Sequence, residues 1–169
     1  MSQAVPFIKP EFPSVKDISQ DYAAIVRNNY YTNGGPFEQE LTAKIGEYVG
    51  RDVNTALVAS ATLGLLLAVK AAFIDTRKKA LVASFTFAAG PEALLWCGFQ
   101  PVFMDIDDAS WQPSLREATE YIGLHHSELA GVLLTNTFGV GNPEIAQWEA
   151  LCERFELPLV IDSAAGFGS

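Results

Sequence analysis

The chain has 169 residues, room for one domain with a core of its own. Charged residues make up only 18% of it, a low share that points to elements covered on more than one face. The formal net charge of −9 argues against a nucleic-acid partner, which clustered lysines and arginines would have to hold.

In chain order, Ser14-Val15-Lys16-Asp17 forms a capping-box pattern, and Ile18, Tyr22 and Ile25 follow at helical spacing. Residues 31–36 (YTNGGP) are a break rich in turn formers. A second helix is predicted beyond it, with Phe37, Leu41, Ile45 and Val49 on one face and Gly50 at its end. Residues 56–59 are a short apolar run suited to a buried strand. Residues 63–74 are apolar almost all round, the pattern of a helix enclosed by other elements. That stretch is too short to cross a bilayer, and it carries Lys70.

The second half continues the alternation. A strand is predicted over 80–83, a helix from about Pro91 to Gly98, and a strand over 101–104 that ends in Asp105-Ile106-Asp107-Asp108. Ser114 with Glu117 opens a short helix, and residues 131–134 form the next strand. Asn142-Pro143-Glu144 starts a helix whose core face is Ile145, Trp148, Cys152 and Phe155, and a strand over 159–161 ends at Asp162. Such alternation predicts a three-layer α/β/α fold with a mainly parallel sheet, read as a single domain over 1–169.

The remaining signals are plain ones. Cys97 and Cys152 lie in apolar helical patterns and read as free, buried thiols. Arg77-Lys78-Lys79 reads as a solvated turn. His125-His126 reads as loop, since adjacent histidines have poor ligand spacing, so no metal is expected. The N-terminus lacks a basic flank and a long apolar run, so a cytoplasmic protein with no membrane partner is expected.

In an open parallel sheet, ligands bind outside the carboxyl ends of the strands. The residues to weigh are therefore Ser60-Ala61-Thr62, Ser84-Phe85-Thr86-Phe87, Asp105, Asn136 and Asp162. Ser60-Ala61-Thr62 opens a helix, where free N–H groups and the dipole suit a phosphate; capping accounts for these residues equally well. Phe85 and Phe87 share a side if the strand continues, as an aromatic face for a planar ring or as plain core. Asp162 follows three aliphatic residues, so a buried carboxylate there needs a cation or several donors. A protonated ring nitrogen of a ligand would serve, and so would a helix-capping role. Phosphate cradle, aromatic plate and lone acid together suit pyridoxal 5′-phosphate (PLP).

At this point the sequence resembles the DegT/DnrJ/EryC1/StrS family of PLP-dependent sugar aminotransferases. The matching stretches are GGPFEQEL, VASATLGLLLAV, ASFTFAAGPEALLWCGFQPVFMDID, TNTFG and LVIDSAAGFGS. The resemblance implies the large domain of fold-type I PLP-dependent transferases, here its N-terminal part. It implies that Ala61 and Thr62, with Ser60 beside them, bind the cofactor phosphate. Phe87 would stack on the pyridine ring, and Asp162 would pair with the ring nitrogen. Asn136 stands where the family often has a histidine, at the pocket edge. Also implied are a nucleotide-linked keto sugar and an amino acid, glutamate, as substrates, and a homo-oligomer with shared sites.

Two departures from the family pattern stand out. Three residues after the acid, where the family has a Gln or His that touches the cofactor's phenolic oxygen, this chain has Ala165. The Schiff-base lysine of the family lies past the acid, whereas Lys9, Lys16, Lys44, Lys70, Lys78 and Lys79 all precede it. The expectation is a truncated relative, inactive alone, that binds PLP weakly and non-covalently. Three alternatives remain at this stage: a non-catalytic association module, a PLP-dependent sugar dehydratase relative, and an Asp-x-Asp glycosyltransferase using Asp105 and Asp107 with a divalent cation.

Overall fold

The computed structural model describes residues 9–50 and 53–168. The extreme N-terminus read for a leader, and Ser169, lie outside them. The chain divides into two compact units, Met1–Leu57 and Val58–Ser169.

The first unit contributes two helices, α1 (Val15–Asn28) and α2 (Pro36–Val49). The capping box forms as its residues dictate. The Ser14 hydroxyl oxygen accepts from the Asp17 N–H at 3.4 Å, and an Asp17 carboxylate oxygen accepts from the Ser14 N–H at 2.9 Å. Pro36 occupies the first turn of α2, where its missing N–H costs nothing. Neither helix has a buried residue. The apolar faces are present as predicted, yet Tyr22 is 68% exposed and Leu41 is 49% exposed.

The second unit holds a sheet of four parallel strands: β1 (Lys79–Ala83), β2 (Gln100–Met104), β3 (Leu129–Thr135) and β4 (Leu159–Asp162). Their order is β2-β1-β3-β4. Helices α3 (Ala61–Ala72) and α4 (Ala89–Trp96) lie on one side, and α5 (Leu115–His125) and α6 (Ile145–Arg154) on the other. Strand alternation explains the two cores. Ala80, Val82, Leu133 and Val160 meet Leu65, Val69, Ala93 and Leu94 on the α3/α4 face. Leu81, Val132 and Leu134 meet Ile122, Trp148, Leu151 and Cys152 on the other. Cys97 and Cys152 are free thiols, and burial pushes Cys152 up to about 11.

Three expectations are corrected. Residues 56–59 form no strand; they are mostly exposed and pair with no neighbour among the described residues. An apolar run becomes a strand only where an edge accepts its backbone. Helix α3 is not enclosed: Leu65 and Val69 are buried, but Leu63 and Leu67 are 42% and 54% exposed. Its uniform apolarity marks no particular face as the packed one. His125 ends α5 and His126 opens a short 3-10 turn, rather than lying in a loop.

Candidate functional site

The strand order reverses between β1 and β3. From β1 the chain moves outward to β2, then crosses back to add β3 on the far side of β1. Loops leaving the carboxyl ends of such neighbours diverge and leave a crevice. A cleft of about 390 Å³ opens there. It is lined by Phe85, Thr86 and Phe87 after β1, by residues 135–138 at the end of β3, and by Asp162, Ala164 and Ala165 at the end of β4.

Asp162 is the last residue of β4, in register with Thr135 of β3, and only 7% exposed. One carboxylate oxygen accepts from the Ala164 N–H at 3.0 Å. Among the described residues it forms no ion pair. Turn capping is therefore part of its role, and the second oxygen accepts no hydrogen bond among the described residues.

The β1 strand stops at Ala83, so Phe85 and Phe87 do not continue its alternation. Both line the cleft by different routes. Phe87 stands open, 72% exposed. Phe85 packs edge-to-face with Trp111 and Phe138, at centroid distances of 6.0 and 6.1 Å. Trp111 and Phe138 also meet at 5.8 Å, so the loops after β1, β2 and β3 are joined by three rings.

Asn136 acts as a brace. Its amide donates to the Ser163 hydroxyl, its carbonyl oxygen accepts from the Asn142 N–H at 3.2 Å, and its backbone N–H donates to the Asp162 carbonyl at 2.8 Å. Gly139 sits close against the β4 loop with φ +82°, and a Cβ there would lie 2.5 Å from the Ala165 carbonyl oxygen. Ala165 lines the cleft with no polar atom on its side chain.

Ser60, Ala61 and Thr62 do not line this cleft. They are exposed at the start of α3. The far end of α3 is tied to the beginning of β3, where the Ile74 N–H donates to the Ala130 carbonyl at 3.0 Å. A helix of this length rises about 18 Å, close to the length of the strand it runs back along. Its first turn therefore opens at the carboxyl end of the sheet, on the Asp162 side. The Ser60 hydroxyl caps the helix by accepting from the Leu63 N–H at 3.2 Å. The N–H groups of Ala61 and Thr62 have no partner among the described residues.

Thr135, Trp111 and Phe138 are site residues that the sequence pattern does not single out. Thr135 carries a weak signal, a hydroxyl closing an apolar strand. Trp111 and Phe138 carry none, because both adopt left-handed backbone, with φ 58° and 55°, outside any periodic pattern.

The profile of the DegT/DnrJ/EryC1/StrS aminotransferase family matches residues 14–169. The chain belongs to this family. Protein Rv3402c of Mycobacterium tuberculosis is 44% identical over 167 residues, covering 98% of this chain and 40% of the relative. The dTDP-4-amino-4,6-dideoxy-D-glucose transaminase of Escherichia coli is 27% identical, covering 98% of this chain and 43% of the enzyme. A crystal structure from Bacillus cereus, assigned as a PLP-dependent aminotransferase, superposes with a TM-score of 0.87 at 32% identity, over 98% of this chain and 45% of that one. The chain thus spans about two fifths of the length of the curated relatives it matches. Its fold is that of the large domain of fold-type I PLP-dependent aminotransferases.

The Asp-x-Asp alternative gains nothing from the geometry. One Asp107 carboxylate oxygen accepts from the Ala109 and Ser110 N–H groups and from the Ser110 hydroxyl. Those donors, the Ser110 N–H foremost, hold its pKa below the ordinary value. An Asp committed to a turn explains that acidic run without a cation, and among the described residues no three His, Cys, Asp or Glu side chains gather as metal ligands.

Proposed function

We propose that this chain holds PLP as the cofactor wall of a sugar aminotransferase. The observation that carries the reading is Asp162: a buried carboxylate that has, among the described residues, one oxygen free and no ion-pair partner, with an open aromatic face in the same cleft. A buried acid of that kind suits a protonated ring nitrogen. When bound, PLP supplies an electron sink for the transfer of an amino group.

The chain's own residues would divide the work. Asp162 accepts the ring N–H and keeps that proton in place. Phe87 covers one face of the ring and excludes water from it. The free N–H groups of Ala61 and Thr62, with the Ser60 hydroxyl, receive the phosphate at a helix N-terminus. Asn136 fixes the loops, and Ala165 leaves the pocket edge without a donor. Among the described residues no lysine lines the cleft, so these residues hold PLP reversibly and without a covalent link. The substrates of the aminotransferase are a nucleotide-linked keto sugar and glutamate, a reading taken from the family and from relatives such as the E. coli transaminase. The open apolar faces of α1 and α2 favour a homo-oligomer, and we place the protein in the cytoplasm.

Titration with PLP, followed by absorbance and then by borohydride reduction and mass spectrometry, tests the reading. Saturable, reversible binding that Asp162→Asn weakens is expected. Equal binding by Asp162→Asn would remove the role of the acid, and a borohydride-fixed lysine adduct would overturn non-covalent binding.

A further inference from the structure

The ladder between β1 and β3 ends at Val82 and Leu133. Beyond it the loop that carries Phe85 and Phe87 leaves the sheet, and the Ser84 N–H turns instead to the Met104 carbonyl of β2. The shorter of two side-chain bonds that carry the β1–β3 link past the ladder joins the Thr86 and Thr135 hydroxyls at 2.7 Å. Thr135 is 7% exposed and is the register partner of Asp162. Register partners on parallel strands point to the same face of a sheet. The bond therefore joins the residue beside Phe87 to the residue beside Asp162, across the point where the strand order reverses.

Two features flank this bond. The Thr137 hydroxyl donates to the Phe85 carbonyl at 3.4 Å, from the same β3 loop. A Cβ at Gly90, in the first turn of α4, would stand 3.4 Å from Leu133 and 3.8 Å from the Thr86 hydroxyl oxygen. The first turn of α4 therefore passes beside Thr86 and Leu133 at ordinary contact distance.

We propose that Thr86 and Thr135 form a hydroxyl latch that sets the position of the Phe87 face relative to Asp162, and so the seat of a flat, cationic heteroaromatic ring between them. This rests on the reading of the cleft as a PLP site. Both threonines are positioning residues: the latch acts through Phe87 and Asp162.

The test compares Thr86→Val, Thr135→Val, the double variant and Thr135→Ser with the unaltered chain, with Asp162→Asn and Phe87→Ala as controls. PLP affinity and the induced circular dichroism of bound PLP are read together with thermal stability. Valine keeps the shape and removes the hydroxyl, so each single variant also strands its partner. Each single valine is expected to weaken PLP binding about three- to tenfold, the worth of one such bond, and to reduce the induced signal. The double variant should bind no more weakly than the singles, because both remove one shared interaction. It should regain thermal stability without regaining the signal, which separates positioning from simple support of the fold. Thr135→Ser should retain both.

Unchanged affinity and induced signal in the valine variants, with loss in Asp162→Asn and Phe87→Ala, would overturn the latch and leave the site intact. Additive losses in the double variant would also overturn it. Unchanged binding in both controls would overturn the site and the latch together. If Thr135→Val fails to fold, Thr86→Val on the less buried partner carries the same comparison.

Discussion

The two units of this chain show the same sequence device with different outcomes. Helices α1 and α2 have clear apolar stripes, with a capping box opening the first and a proline in the first turn of the second, yet neither buries a residue. Helix α6 has a comparable stripe, and Trp148, Leu151 and Cys152 on it are buried against the sheet. An amphipathic pattern specifies a helix and the face it offers. What that face is worth depends on a partner surface that other residues supply. In the second unit four strands supply it, through side chains that alternate between two cores.

The contrast can be broken most directly at Trp148. Trp148→Ala should cost about 3–5 kcal/mol, as large-to-small changes at fully buried aromatic positions do. Tyr22→Ala on α1 should stay within about 0.5 kcal/mol, as exposed changes do. Urea denaturation of both variants at low protein concentration measures the difference, and similar losses would mean that α1 is covered in solution.

A second variant probes the loops above the sheet. Gly139→Ala forces a Cβ onto the Ala165 carbonyl in left-handed backbone. It should cost about 1–3 kcal/mol and weaken PLP binding as well, whereas Gly123→Ala in α5, where a Cβ meets nothing within 4 Å, should be neutral or stabilising. Equal stability of the two variants in the same denaturation experiment would sink the close-approach argument.

Cys152 reports on the second core without mutation. With its thiol pushed up to about 11 by burial, it stays protonated and shielded at pH 8. Iodoacetamide should label it only as fast as the second unit opens, and labelling should accelerate in Trp148→Ala. Rapid labelling of the unaltered chain, located by peptide mass spectrometry, would count against a closed core.

The smallest effect lies on α1 and depends on pH. The Ser14 hydroxyl, and then the Ser14 N–H, hold the Asp17 carboxyl below its ordinary 3.8. A depressed folded pKa stabilises the helix above the unfolded value, and that contribution is lost as pH falls through the folded value. Acid titration followed by circular dichroism should show a slight loss of helix below about pH 4, and Asp17→Asn should flatten it. The α6 signal should not follow, since its N-cap, Glu144, makes no side-chain capping bond.

Much of this arrangement was legible in the chain itself. Caps at Ser14, Ser60 and Ser114, the stop at Gly98 and four of five strands follow from local stereochemistry and period. Asp162 was legible as a site residue because a carboxylate that follows three aliphatics into a core must find a cation or donors there. The strand predicted over residues 56–59 does not form, because they are apolar enough for one, but an apolar run alone supplies no neighbouring edge.

The sequence by itself determined most of the elements, their order and the family, because turn chemistry and periodicity act within a few residues and the motifs are linear. Only the tertiary structure decided which faces are covered and which strand ends meet. Strand order brings Thr135 beside Asp162, and the chain's reversal at β1 brings Thr86 to Thr135. These are contacts between residues 27 to 49 positions apart, and no local pattern encodes them.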